Sequence, residues 1–166
     1  GKVGGNSTNT AGPMAINPPS RVAANGGEIV PPADLLADWA ECRSIDGVQD
    51  AKLDIVEKFI AESGLTLDWM EQYSFEFGAT MRAFFHPAGW AVWTSYAGKN
   101  GTSKDEAYNA AMEAAKAMNE KNDYMLELDA TELIVEDGKV AGVKATYWDG
   151  TTYVIKGKSV ILATGG

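Results

Sequence analysis

The chain has 166 residues, 45% of them hydrophobic, and a formal net charge of −9 from 23 acidic and 14 basic side chains. That is enough for one compact unit with a core, not for two domains of ordinary size, and with no Lys/Arg cluster it excludes a nucleic-acid binder, whose partner's phosphates demand a basic face. A lone cysteine, Cys42, and a lone histidine, His86, exclude an internal disulfide and a four-ligand zinc site; no apolar run approaches the roughly 20 residues needed to span a bilayer, so the chain reads as soluble, with its compartment unassigned.

Residues 1–32 are rich in Gly, Asn, Ser and Pro and lack helical or strand periodicity. They read as loop held by its surroundings, with disorder as the alternative. Gly4-Gly5 and Ala11-Gly12-Pro13-Met14 are backbone-permissive positions, useful where main chain must approach a ligand closely. The opening Gly1-Lys2-Val3-Gly4-Gly5 resembles mid-loop and the chain stops just after a buried-strand run, which leads to the expectation of an internal piece of a longer protein.

Residues 33–121 form a helical segment interrupted by an aromatic stretch. Pro31-Pro32 precedes Leu35, Leu36 and Trp39 at helical spacing, with Asp34 in the first turn. A second helix is expected from a cap at Asp50, with Leu53, Val56, Phe59 and Ile60 on one face and Gly64 as its stop. A short third follows, opened by Thr66 and carrying Leu67, Trp69 and Met70. The fourth is the clearest: Ser103 and Glu106 make a capping box before an alanine stripe, Ala107, Ala110, Ala111, Ala114 and Ala117, that calls for close packing. Between the third and fourth helices, Phe84, Phe85, His86, Trp90, Trp93 and Tyr96 show no regular period. They read as a loop whose aromatics fill gaps in a core, or as the wall of a pocket. Cys42 reads as a small buried hydrophobe rather than a nucleophile or covalent cofactor link.

Residues 122–166 are strand-like. Glu132–Glu136, Val140–Trp148 and Thr152–Lys156, separated by Asp137-Gly138 and Asp149-Gly150 as two-residue turns, predict an antiparallel meander. The short apolar runs Met125–Leu128 and Ser159–Leu162 on either side predict strands of a parallel sheet covered on both faces. The fold class expected is α/β, α+β within this chain: part of a Rossmann-like parallel sheet with an inserted meander and a helical segment. The last run ends in Ala163-Thr164-Gly165-Gly166, small residues where open α/β sheets bind ligands.

Taken in order, Lys2-x-Gly4-Gly5-Asn6-Ser7, Ala11-Gly12-Pro13-Met14-x-x-Asn17, the helices over 34–70, Glu136-Asp137-Gly138-Lys139-Val140-x-Gly142-Val143 and Ala163-Thr164-Gly165-Gly166 resemble the FAD domain of the fumarate reductase and succinate dehydrogenase flavoprotein family, which includes soluble fumarate and urocanate reductases. The resemblance covers nearly the whole chain. It implies FAD as cofactor, and hydride transfer between the flavin and an activated carbon–carbon double bond in the intact protein. Gly4, Gly5, Asn6 and Ser7 match the loop beside the pyrophosphate and the flavin ring, and Gly12 and Met14 the next small-residue turn. Ala130 and Thr131 match the lead-in that meets the adenine, and Ala163, Thr164, Gly165 and Gly166 a turn close to the dinucleotide.

The resemblance places no catalytic residue and no metal ligand in this chain; it implies an unsaturated carboxylate as substrate and an electron-donor protein or domain as partner. Where the family has Gly-Gly-Met, Pro13 removes a backbone donor. His86 reads as a substrate contact or proton shuttle, or as a structural hydrogen-bonding residue. Two rival readings stand beside this one. One is an FAD-dependent steroid dehydrogenase or L-aspartate oxidase relative; the other is a cofactor-free binding module. The exposed edge expected of an incomplete sheet also predicts self-association.

Overall fold

The computed structural model describes residues 2–24, 29–42, 44–45, 48–49, 52–82 and 90–165. His86, Phe84, Phe85, Asp50 and Gly166 lie outside the described residues. Contacts divide the chain into two units, Lys2–Asn119 and Glu120–Gly166, where length alone predicts one.

The first unit is built on helices α1 (Pro19–Ala24), α2 (Pro32–Cys42), α3 (Leu53–Met70) and α4 (Lys104–Met118). Pro32 occupies the first position of α2, where its missing N–H is no loss, and Leu35 of that helix is fully buried. Cys42, at the last position of α2, is exposed, which corrects the expectation of a buried hydrophobe: the buried side of this helix is set by Leu35. The predicted capping box opens α4, with Ser103 Oγ accepting from the Glu106 N–H and the Glu106 carboxylate accepting from the Ser103 N–H. Of the alanine stripe only Ala107 is buried.

Gly64 does not end a helix. The two helices expected around it are one, α3, which runs unbroken through Gly64 and Thr66. A Cβ on Gly64 would lie 2.1 Å from the Ile16 carbonyl oxygen and 2.7 Å from the Pro18 nitrogen. Glycine is there because segment Ile16–Pro18 lies across the helix. Beside it the Ser63 hydroxyl accepts from the Ile16 N–H at 3.0 Å. The segment then turns at Asn17, whose φ of 48° is left-handed, a conformation Asn tolerates better than most residues. Its amide pairs with the Val30 backbone at 2.8 Å in both directions.

The presumed loops carry more order than their composition announces. Residues 1–32 contain α1 and a 3₁₀ turn over Gly5–Asn9. Short strands β1 (Ser44–Ile45) and β2 (Val48–Gln49) pair, as do β3 (Phe75–Phe77) with β6 (Tyr96–Gly98) and β4 (Met81–Arg82) with β5 (Ala91–Trp93), all antiparallel. Trp90, Trp93 and Tyr96 are core fillers. Ile16, Val30, Leu35, Ile60 and Val92 form one cluster, with Trp90 and Trp93 against it; Ala15, Leu67, Phe75, Phe77, Tyr96 and Ala107 form the other.

The second unit is the predicted meander: β7 (Leu128–Glu136), β8 (Lys139–Tyr147) and β9 (Thr152–Lys156) in the order β7-β8-β9. Asp137 and Gly138 both take positive φ, 50° and 74°, as a type I′ hairpin requires. The second turn is wider than the two residues expected. Tyr147 donates to the Thr151 carbonyl, Gly150 donates to the Tyr147 carbonyl, and Gly150 has φ 89°, the pattern of a three-residue loop closed by a left-handed glycine.

Register puts Leu133, Val143 and Ile155 in one row and Ala130, Ala145 and Tyr153 in the next on the same face. The opposite face carries the Lys144–Glu132 pair at 2.9 Å. Every ladder among the described residues is antiparallel, so the class is α+β. The parallel strands expected over Met125–Leu128 and Ser159–Leu162 are not formed: only Leu128 joins a ladder, and Ile161 is 91% exposed. A strand exists only where a neighbour completes its hydrogen bonds, and among the described residues no strand pairs with residues 125–127 or 159–162. No helix among the described residues is long and apolar enough to cross a membrane.

Candidate functional site

Residues Gly4 to Met14 form one continuous surface loop of the first unit. Gly4 and Gly5 both have positive φ, 102° and 47°, and feed the 3₁₀ turn, which is closed by the Ser7 N–H on the Gly4 carbonyl at 2.9 Å and the Thr8 hydroxyl on the Gly5 carbonyl at 3.0 Å. The two glycines differ in what they need. A Cβ on Gly4 would meet Thr8 Cγ2 at 2.5 Å and the Tyr108 ring at 3.0 Å; one on Gly5 would meet nothing within 4 Å. Gly5, Asn6 and Ser7 are exposed. The main chain at Gly5 is therefore open to close approach from outside.

The other side of the turn is anchored. The Tyr96 hydroxyl donates to the Ser7 carbonyl and lies 3.2 Å from the Thr10 hydroxyl. Lys104, at the first position of α4, donates to the Thr10 carbonyl while its ammonium sits 4.5 Å from the centroid of the Tyr96 ring. Lys2 pairs with Asp105 of the same helical turn, and that lysine holds the Asp105 carboxyl below the ordinary range. Burial, aided by a hydrogen bond with Tyr96, pushes the Tyr108 phenol up. Tyr96, Lys104 and Tyr108 were not legible as supports of this loop. A lysine in a first helical turn and a tyrosine in an aromatic stretch carry no signal of what they will touch.

Gly12 answers to the chain itself. A Cβ there would fall 1.8 Å from the Thr94 carbonyl oxygen. The Trp93 indole donates to the Gly12 carbonyl at 3.1 Å and the Thr94 N–H to the Pro13 carbonyl at 3.2 Å. Pro13 thus takes part through its carbonyl, the one backbone group it retains. Met14 bridges to Trp93 and, with Pro13, lines an apolar cavity of about 520 Å³ whose other wall is α3, through Ile55, Phe59, Leu67 and Met70, together with Phe77.

An ion pair holds the backbone at Phe77, one of the residues lining the cavity. Arg21 grips Glu71 with both terminal nitrogens at 2.6 Å and donates from Nε to the Gly78 carbonyl at 3.2 Å, while the Phe77 N–H donates to the same carboxylate at 3.1 Å. The Arg21 hydrogen bond, then the Phe77 N–H, holds the Glu71 carboxyl below the ordinary range against its desolvation, and Glu71 in turn raises Arg21.

The remaining predicted contacts belong to the second unit. Ala130 and Thr131 lie on β7, Thr131 at a register shift, its hydroxyl 3.3 Å from the Lys144 carbonyl. Ala163, Thr164 and Gly165 are exposed, and Gly165 has φ 79°. Gly4, Gly5, Asn6, Ser7, Gly12 and Met14 are thus gathered on one loop, while the others occupy a different unit. Among the described residues no group of three or more His, Cys, Asp and Glu side chains is placed to hold a metal ion.

No protein-family model matches the chain. It is similar to an NADH:acrylate oxidoreductase of Vibrio harveyi, 28% identical over 115 residues, which is 68% of this chain and 11% of that protein.

Proposed function

We propose that this chain is part of an FAD-dependent oxidoreductase, fumarate reductase-like, that reduces an activated carbon–carbon double bond in an unsaturated carboxylate. The observation that carries the reading is the 115-residue similarity to an oxidoreductase named for acrylate, which is such a compound. The chain spans 11% of that relative's length, so the activity is proposed for the longer protein that contains it. An NADH-linked electron donor follows from the same name.

The loop suits the cofactor. Gly5 leaves main chain open, Asn6 and Ser7 supply exposed polar groups, and Gly4 holds the entry conformation. In this reading Gly4, Gly5, Asn6 and Ser7 meet the dinucleotide, with Gly12 and Met14 beside them on the same loop. When bound, the flavin supplies the hydride chemistry, and the protein supplies orientation and electrostatics. The apolar cavity beside Met14 favours a second version, with a substrate carrying a larger apolar body, as in the steroid-acting flavoenzymes.

The test is the visible spectrum of the intact protein carrying this chain, with mass identification of any cofactor released. A yellow protein yielding FAD, whose reduced form is reoxidised by acrylate, fumarate or urocanate, is the expected result. A colourless protein sinks the reading. Reoxidation by unsaturated steroids but not by small acids selects the second version.

A further inference from the structure

The turn over Gly5–Asn9 is held by groups from β6 and α4, and those groups are unevenly charged. Its Ser7 carbonyl accepts from Tyr96, and the Thr10 carbonyl just beyond it accepts from Lys104. Two lysines approach the segment, and their circumstances differ. Lys2 is neutralised by Asp105. Among the described residues Lys104 meets a neutral carbonyl and the face of the Tyr96 ring and is ion-paired with no carboxylate. The acidic neighbours in its own helical turn are already engaged, Asp105 by Lys2 and Glu106 by the Ser103 cap. The ammonium also stands at the N-terminus of a 15-residue helix, whose dipole adds to the positive field.

We propose that Tyr96 and Lys104 are positioning residues of the flavin site, Tyr96 fixing the carbonyl side of the turn and Lys104 placing an unneutralised positive charge behind it, so that the reduced, more negative flavin is favoured over the oxidised one. The proposal rests on the flavin reading above. Its physical basis is that a fixed charge near a cofactor changes the relative affinity for its two redox states.

The experiment uses the intact protein and three variants: Lys104→Met, which keeps the stem and removes the charge, Lys104→Arg, which keeps the charge, and Tyr96→Phe, which keeps the ring and removes the hydroxyl. Bound flavin per chain, visible absorption bands and midpoint potential are measured for each. Lys104→Met is expected to lower the preference for reduced flavin about tenfold, a fall of about 30 mV for a two-electron couple, with flavin content retained. Lys104→Arg is expected to restore the wild-type potential, and Tyr96→Phe to shift the absorption bands. A yellow Lys104→Met protein with an unmoved potential, or equal shifts for Met and Arg, overturns the role of Lys104 and leaves the flavin reading standing. Unshifted bands in a fully loaded Tyr96→Phe protein overturn the role of Tyr96. A colourless wild type overturns the flavin reading and this proposal together.

Discussion

At the residue scale, Gly64 shows how packing reverses an intrinsic preference. Alanine is favoured over glycine in a helix interior by about 1 kcal/mol, so Gly64→Ala in an open helix would stabilise. Here the new methyl group would meet main chain at 2.1 Å, and overpacking of that kind costs about 1–3 kcal/mol. Gly64→Ala is therefore expected to destabilise, with a lowered urea midpoint. Glu71 sets a second prediction. Its carboxyl is held low when folded, so its pairing with Arg21 adds stability above the ordinary carboxylate pKa, and that stability is lost as pH falls through the depressed value. Glu71→Gln should flatten the acid limb of the stability profile and lower stability at neutral pH, measured by urea denaturation across the range. The sequence offered no hint of either constraint. Gly64 reads as a stop because its reason for being glycine, the Ile16 carbonyl, is nearly fifty positions away.

Among elements, legibility followed the range of the forces involved. The α4 cap and the Asp137-Gly138 turn are decided within a few residues, and both formed as expected. Ser103→Ala is expected to cost about 1 kcal/mol, read as a lowered thermal midpoint with the helix otherwise intact. The ladders β3–β6 and β4–β5 are only two or three residues long, too short for alternation to declare itself, and their partners are brought together by clusters around Phe75 and Val92. Segments Met125–Leu128 and Ser159–Leu162 illustrate the converse. Their apolar composition favours strand, yet among the described residues only Leu128 finds a strand to pair with.

Across the whole molecule, the loop from Gly4 to Met14 was legible through its glycines but not through the groups that support it. Gly4 and Gly5 announce themselves through conformation; Tyr96 and Lys104 do so only through contacts made in the folded state. The meander carries an apolar row in which Leu133 is 39% and Ile155 41% exposed. Replacing both with Thr keeps strand propensity and removes apolar surface. The expected outcome is weaker binding of a hydrophobic dye and less association of the chain in light scattering at high concentration.

The bond from the Trp93 indole to the Gly12 carbonyl has a practical consequence. It makes Trp93 a native optical gauge of the loop. With Trp39, Trp69, Trp90 and Trp148 replaced by Phe, emission would come from Trp93 alone, because the chain holds five tryptophans. Titration with a ligand that lifts Gly12 away from the indole would then be followed as a change in colour of the emitted light, without labelling and without waiting for turnover.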